Sequence, residues 1–164
     1  MSATWRRAGR SSSATPTGCS DLNVDGGNLL GRTRDLNVLG DTKSSLGPQL
    51  AAMVRADGMR LSADHHPEAG HFYRSDHFSF AKKGVPAVSI GAGTDVAGKP
   101  AGWGAQQDDD YTAHRYHQPS DEYRPDFDLT GAVQLSEIVL RFALQLANAS
   151  SVPSWIRDAE FGAV

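Results

Sequence analysis

The sequence has 164 residues, the length of one ordinary domain and enough to bury a hydrophobic core. Sixteen basic and nineteen acidic residues give a net charge of -3, so we expect no broad surface for nucleic acid or anionic membrane. Hydrophobic residues make up 39% of the chain, which together with 17 glycines makes collagen-like, coiled-coil and wholly disordered structures poor fits. A single cysteine, Cys19, rules out an internal disulfide, and no stretch approaches the roughly 18 apolar residues of a membrane span.

The first part of the chain, residues 1–20, contains no Asp or Glu and is rich in Ser, Thr, Ala and Arg. Such a segment buries too little apolar surface to offset its ordering entropy, which predicts a disordered leader. Two alternatives stay open, a transit peptide and a start that is not native. Arg6 and Arg7 are not followed by an apolar h-region, so no signal peptide can be identified and the compartment is left open.

Strand and helix patterns alternate after the leader. The predicted elements are, in chain order, a strand at Leu22–Val24, a strand at Asp35–Leu39, a helix at Lys43–Ala56, a short helix at Asp76–Lys83, a strand at Val85–Ile90 and a long helix from a cap at Asp128 to about Ala149. Residues 91–116 are predicted to be a long, glycine-rich, acidic loop. The alternation predicts an α/β layered domain over residues 21–149, followed by a tail at 150–164 that can dock against it.

Four polar clusters are candidates for chemistry, and each has a structural alternative. Asp25 follows a strand, where open α/β sheets bind ligands, although Asp-Gly is also common turn chemistry and spacing alone favours the turn. Ser75 or Asp76 can be a helix N-cap, or Asp76 can form a site pair with His77. The window 64–68 contains two histidines and two acids but lacks the spacing of helical metal ligands, which favours a polar surface loop.

The fourth cluster surrounds Tyr116 and His117 at a proline turn. An imidazole is a preferred zinc ligand and an adjacent phenol can stabilise an oxyanion, while Pro119 and Ser120 also suit a solvated turn. Elsewhere, His71 and His114 are expected to be exposed loop histidines; no catalytic serine triad can be assembled, and Cys19 in the leader is not a candidate nucleophile.

Three blocks of sequence together resemble a known family of enzymes. The blocks are Leu22-Asn23-Val24-Asp25, then Tyr73-Arg74-Ser75-Asp76-His77-Phe78-Ser79-Phe80-Ala81-Lys82-Lys83-Gly84-Val85-Pro86-Ala87, and then Tyr116-His117-Gln118-Pro119-Ser120-Asp121-Glu122. In order and spacing they are similar to the C-terminal half of the co-catalytic zinc peptidases of metallopeptidase family twenty-eight, clan MH. That family includes bacterial leucyl aminopeptidases and the glutamate carboxypeptidase group.

The resemblance implies a part of a three-layer α/β/α domain with a mixed central sheet and two zinc ions that activate water against a peptide bond. It implies that Asp25 ligates one zinc ion and His117 the other. Tyr116 matches a tyrosine that hydrogen-bonds the tetrahedral intermediate. Asp76 matches an acid that supports the metal site and substrate, and Ser75 and His77, which share its block, are assigned no direct ligand role.

Two motifs of the family are missing upstream of Asp25. These are a His-x-Asp motif, whose aspartate bridges the metals, and a Glu-Glu pair that supplies the general base and a ligand; residues 1–21 contain neither. We therefore expect a truncated chain with little or no peptidase activity alone. A non-catalytic relic or binding module on the same scaffold, and a glutaminyl-cyclase-like acyltransferase, are the alternatives. A search of the upstream coding DNA for the two motifs distinguishes these possibilities. Their presence supports a fragment of an active peptidase, and their absence favours the relic. Substrate preference and oligomeric state are not indicated.

Overall fold

The computed structural model describes residues 2–5 and 19–162, which form one mixed sheet with helices on both faces. The strands are β1 (Ser2–Trp5), β2 (Ser20–Asn23), β3 (Asp35–Leu39), β4 (Arg60–Ser62) and β5 (Ala87–Ala92). The helices are α1 (Leu46–Ala56), α2 (His77–Ala81), α3 (Trp103–His114) and α4 (Thr130–Ala147), with 3-10 turns at Pro67–Ala69 and His71–Tyr73. The strand order is β1-β2-β5-β3-β4. β2 runs parallel to β5 and β3 parallel to β4, whereas the β1–β2 and β3–β5 pairs are antiparallel.

The central strand β5 separates two hydrophobic clusters. Because successive side chains of a strand point to opposite faces, Val88 and Ile90 face the side that packs α1 and α4. Ala87 belongs to a second cluster on the other face, beside Ala81 of α2. The sheet therefore lies between two helical layers, and the α/β layered architecture expected from the sequence is confirmed.

The larger cluster is the main core of the domain. Its buried members are Leu22, Leu36, Val38, Leu46, Leu50, Val54, Val88, Ile90, Leu135, Ile138, Phe142 and Ala143. They come from three strands and from the inner faces of α1 and α4, whose apolar residues recur at helical spacing. This core fixes β2 and β5 side by side, and it thereby fixes the point at which both strands end.

Most of the predicted elements are present with small shifts at their ends. The strand at Asp35–Leu39 is confirmed as β3, and Pro86 immediately precedes β5 as its missing N–H requires. α1 begins at Leu46, so that Pro48 lies in the first turn. Before α4, the Asp128 carboxylate accepts hydrogen bonds from the backbone N–H (3.0 Å) and hydroxyl (2.6 Å) of Thr130, close to its predicted capping role.

The prediction of a loop throughout residues 91–116 is wrong. β5 extends to Ala92, and α3 covers Trp103–His114. Gly104 is the only residue of α3 that is buried, so the helix has no apolar stripe that a periodicity argument could detect. Its last turn is held instead by local charge pairs, such as that between Arg115 and Asp110 at 3.1 Å.

The leader also differs from the expectation of disorder. Ser2–Trp5 forms β1, because backbone pairing along the edge of β2 requires no particular side-chain composition. Cys19 is buried, with a relative accessibility of 4%, rather than exposed in a disordered segment. The prediction for residues 6–18 lies outside the described residues. The short strand β4 has no counterpart among the predicted elements.

Among the described residues, no helix combines the length and apolar character needed to cross a membrane.

Candidate active site

Asp25 lies two residues beyond the end of β2 in an exposed turn. Gly26 has a φ of 85°, a backbone conformation that glycine adopts without steric cost. Buried Asn28 closes the turn, since its Nδ2 donates to the carbonyl of Gly31 at 2.6 Å and its Oδ1 accepts from the N–H of Leu30 at 2.9 Å. The carboxylate is therefore presented to solvent from a fixed piece of backbone at the edge of the sheet.

The N-terminus of α4 lies directly against this turn. A Cβ built on Gly131 would lie 2.2 Å from the carbonyl oxygen of Gly31 and 2.3 Å from Nδ2 of Asn28. Glycine is thus required at this position, because backbone packs on backbone with no space for a side chain.

A chain of hydrogen bonds connects Asp25 to the interior. The hydroxyl of Ser75 donates to Oδ2 of Asp25 at 2.8 Å and accepts from Nδ2 of Asn23 at 3.1 Å. The same amide group donates to Oγ of Ser89 at 3.1 Å, in the adjacent strand β5. Since a hydrogen-bonded carboxylate loses orientational freedom, this chain holds Asp25 in one orientation. It also brings the first and second sequence blocks together.

Contrary to one interpretation of the second sequence block, neither Ser75 nor Asp76 caps α2 with its side chain. Asp76 occupies the N-cap position of α2 but makes no side-chain capping bond, and the hydroxyl of Ser75 is directed to Asp25 instead. The carboxylate of Asp76 is exposed. No hydrogen bond joins Asp76 to His77, so the two do not form the site pair that adjacency suggests.

His77 is fully buried at the start of α2. Its ring lies edge-on to that of Phe72, with 4.7 Å between centroids, and neither ring nitrogen makes a hydrogen bond within the described residues. Burial lowers the pKa of His77 because it penalises the cation, and this effect outweighs the backbone of Phe72 and the carboxylates of Asp25 and Asp76, which favour it. His77 is therefore a neutral, packed imidazole behind Ser75 and Asp76.

The third block forms an exposed turn after α3. Tyr116 and His117 stack with 3.8 Å between ring centroids, and His117 adopts a positive φ of 59°, which is uncommon for a residue with a side chain. The hydroxyl of Tyr111 donates to Oδ2 of Asp121 at 2.8 Å and so attaches the turn to α3. This hydrogen bond also raises the pKa of Tyr111, because the neighbouring carboxylate disfavours a phenolate.

The structure joins the first two blocks but not the third. Within residues 19–162, no hydrogen bond, ion pair or ring contact connects Tyr116 or His117 to Asp25, Ser75 or Asp76. In the same part of the chain, no three His, Cys, Asp or Glu side chains are grouped so that they could hold a metal ion. The carboxylate and imidazole are suitable zinc donors, but a zinc ion takes four ligands, so the described residues do not complete a zinc centre.

The histidine-rich window 64–68 is a polar surface loop, as predicted. His66 lies 3.3 Å from Glu68 and 3.4 Å from Asp109 of α3, and these two carboxylates raise its pKa. His65 contacts the hydroxyl of Thr94 at 3.2 Å. In the described part of the chain, no hydrogen bond or ion pair joins the window to Asp25 or His117. His71 and His114 are exposed as expected, although His114 ends α3 rather than lying in a loop.

Sequence reasoning missed two residues that support the site. Asn23 and Ser89 are both buried and lie opposite each other in the parallel pair of β2 and β5. The sequence does contain an indication of both: Ser89 is a small polar residue inside an otherwise apolar strand, and Asn23 lies between the apolar residues Leu22 and Val24. Buried polar groups are nearly always hydrogen-bonded, so such residues point to a network.

A shallow concave surface on α4 does not coincide with these residues. Its volume is about 420 Å³, and it is lined by Leu129, Ala132, Val133, Ser136, Glu137 and Leu140. None of the candidate site residues contributes to it.

In a comparison with protein families, residues 12–143 match the model described as Peptidase family M28. The match covers about four-fifths of the chain, and the chain belongs to this family. No curated protein matches. No solved structure matches. The family is one of peptidases that are generally zinc-dependent, which agrees with the resemblance carried by the three blocks.

Proposed function

We propose that this chain carries part of the site of a zinc-dependent exopeptidase of the aminopeptidase type, with Asp25 as a ligand of one metal ion and His117 as a ligand of the other. The observation that supports the proposal most directly is the hydrogen bond of Ser75 to Asp25. It leaves Oδ1 of Asp25 without a hydrogen bond in the described chain and exposed at the sheet edge. A carboxylate with one oxygen fixed and the other open is a common arrangement for a metal ligand.

The other candidate residues have side chains that are open to a peptide substrate. Tyr116 has a relative accessibility of 49%, and its phenol makes no hydrogen bond within the described residues. It is suited to donate a hydrogen bond to the oxyanion that forms when water attacks a carbonyl. Asp76 is exposed beside Ser75 and is suited to orient a substrate or a ligand. In this family's chemistry, bound zinc supplies Lewis acidity and lowers the pKa of water.

We also propose that the 164 residues alone have little or no peptidase activity. Two ligands that belong to different ions cannot hold a dinuclear centre, and residues 1–21 contain neither a His-x-Asp nor a Glu-Glu pair to supply the remaining ligands and the general base.

The test is a zinc titration of the purified chain monitored by NMR. A separate assay measures the release of amino acids from aminoacyl-anilides. We expect weak zinc binding that shifts signals around Asp25 and, separately, the ring of His117, with no release of amino acids. Asp25→Ala should abolish the first response and leave the second, and His117→Ala should do the reverse. Independent responses follow from the assignment of the two residues to different ions.

His114→Ala is the matched control, because His114 is an exposed imidazole three residues before His117. This variant should leave both responses unchanged. An equal response at His114, or no response at millimolar zinc, would contradict the assignment of the ligands. Zinc-dependent release of amino acids by the wild-type chain would contradict the expected inactivity.

A second candidate is a non-catalytic module that retains the scaffold of the peptidase family. It is favoured by the absence of a metal-competent group of three side chains within residues 19–162. The same titration separates the two, since such a module gives no ordered zinc response at Asp25 or His117.

A further inference from the structure

The C-terminal tail contacts both ends of the segment that carries Ser75 and Asp76. Residues 154–161, here termed the strap, lie outside the family match, which ends at residue 143. α2 has only five residues, too few to be stable by itself, so its position depends on what packs against its flanks.

The strap is anchored first at the start of α1. The N–H of Ser45 donates to the carbonyl of Ser154 at 2.8 Å, and the N–H of Ile156 donates to the carbonyl of Lys43 at 3.1 Å. The hydroxyl of Ser45 accepts from the N–H of Ser154 at 3.1 Å. These bonds form a short antiparallel bridge, and they attach the strap to an element of the main core.

One contact of the strap is with the C-terminal end of α2. Nε1 of Trp155 donates to the carbonyl of Gly84 at 2.9 Å. Gly84 has a φ of 76°, and its N–H donates to the carbonyl of Ala81, the last residue of α2, at 2.8 Å, so it closes the turn that follows the helix. The indole thus fixes the point at which the chain leaves α2 for β5.

Further contacts are with the residues just before α2. The hydroxyl of Tyr73 donates to Oε2 of Glu160 at 2.8 Å, and Lys43 lies 3.4 Å from the same oxygen. Phe161 is buried and stacks on Phe72, with 5.9 Å between ring centroids. Phe72 in turn lies against the ring of His77. The strap therefore supports the segment from Phe72 to His77 by packing as well as by hydrogen bonds.

We infer that the strap is a positioning element for the candidate site: Trp155, Glu160 and Phe161 hold the segment from Phe72 to Gly84 so that the hydroxyl of Ser75 reaches Asp25. Only the description of Asp25 as a metal ligand rests on the proposed function. The contacts themselves do not depend on metal, and neither does the test.

The test is hydrogen exchange by NMR on the full chain without added metal. The amide of Phe78 donates to the carbonyl of Ser75 and that of Ser79 to the carbonyl of Asp76, so their exchange reports on this segment directly. Trp155→Ala should speed exchange at these amides and at Gly84 about tenfold or more, while amides of β3 and β5 keep their protection. Trp155→Phe, which retains a ring but lacks the N–H, should give a smaller increase.

A second readout is specific to positioning. The ring protons of His77 are shifted by the adjacent ring of Phe72, so a loosened strap should move these signals toward free-histidine values. Tyr73→Phe removes the hydrogen bond to Glu160, and Glu160→Gln weakens that bond and removes the ion pair with Lys43, in both cases with little loss of packing. These variants test the inference even if Trp155→Ala does not fold. Both should move the His77 signals in the same direction. Arg157→Ala, in the strap but exposed and without a hydrogen bond or ion pair in the described chain, is the matched control and should change nothing.

The inference is overturned if the variants leave Phe78, Ser79 and the His77 ring unchanged, or if exchange rises equally in β3 and β5. Failure of the zinc titration leaves these results unaffected, because no metal is present. The two proposals can therefore fail separately.

Discussion

The charge of the His77 imidazole is constrained by burial. It is fully buried at the start of α2 and makes no hydrogen bond to the described residues. Burial lowers its pKa, so the folded chain binds a proton there less readily than the unfolded chain does. Its contribution to stability is complete above the unfolded value of about 6.5, and it is lost progressively as the pH falls below that value toward the folded pKa.

His77→Phe should therefore reduce the loss of stability on acidification. Between pH about 7.5 and about 5.5 the wild-type chain should lose stability through this residue, and the variant should lack that loss whatever its absolute stability. Urea denaturation at both pH values measures the difference. His71→Phe is the control, since His71 is exposed, and it should keep the wild-type dependence on pH. An unchanged pH dependence in His77→Phe would show that the ring is accessible to protons in the folded state.

Among the elements, α4 is joined to the segment just before β3 by one buried amide side chain, in addition to its packing in the main core. Gln134 accepts from the N–H of Thr33 at 2.9 Å through Oε1 and donates to the carbonyl of Thr33 at 3.0 Å through Nε2. The pair of bonds satisfies both backbone groups of Thr33, as pairing with a strand would. Arg141 also links α4 to Asp57, after α1, and lowers the pKa of that carboxyl, but the pair is at the surface, where ion pairs contribute little.

Gln134→Leu should cost about 2 kcal/mol in the free energy of unfolding, because both backbone groups of Thr33 become buried without a partner. Gln145→Leu on the exposed side of the same helix is the matched control and should change stability by less than about 0.5 kcal/mol. Denaturant titration of the three proteins measures both values. Equal effects at the two positions would mean that the bonds to Thr33 are replaced by water.

The elements also show how far the sequence alone determines the fold. β3, α1 and α4 could be predicted, since each has an apolar face of regular period that the core requires, and β5 could be predicted from its continuous apolar run. α3 could not, because its residues are polar on all sides. Of the candidate site, a local pattern could predict only the position of Asp25 just after a strand. The partnership of Ser75 with Asp25 spans fifty residues, and no local pattern indicates it.

For the whole molecule, one core joins the sheet to both long helices. Phe142 is fully buried within it, at the point where α4 meets the sheet and α1. If this cluster unfolds as a unit, a cavity at its centre should lower the free energy of unfolding of the whole domain and not only the stability of α4.

Phe142→Ala should accordingly reduce the free energy of unfolding by about 3–5 kcal/mol, with one transition seen by both far-UV circular dichroism and tryptophan fluorescence. Leu140→Ala, on the solvent side of the same helix with a relative accessibility of 60%, should cost less than about 1 kcal/mol. Two separate transitions in Phe142→Ala would show that α4 unfolds independently of the sheet.

The close approach of Gly131 to the turn behind Asp25 has a consequence for variation in this chain. With 2.2 Å between a notional Cβ and the Gly31 carbonyl, even a methyl group at this helical position must push the loop outward. Because Asn28 ties that loop together, the displacement would travel toward the carboxylate without any change in the residues around it. The absence of a side chain at position 131 therefore sets the distance between α4 and the turn that carries Asp25. A substitution in α4 at this residue would alter the position of Asp25 beyond the end of β2.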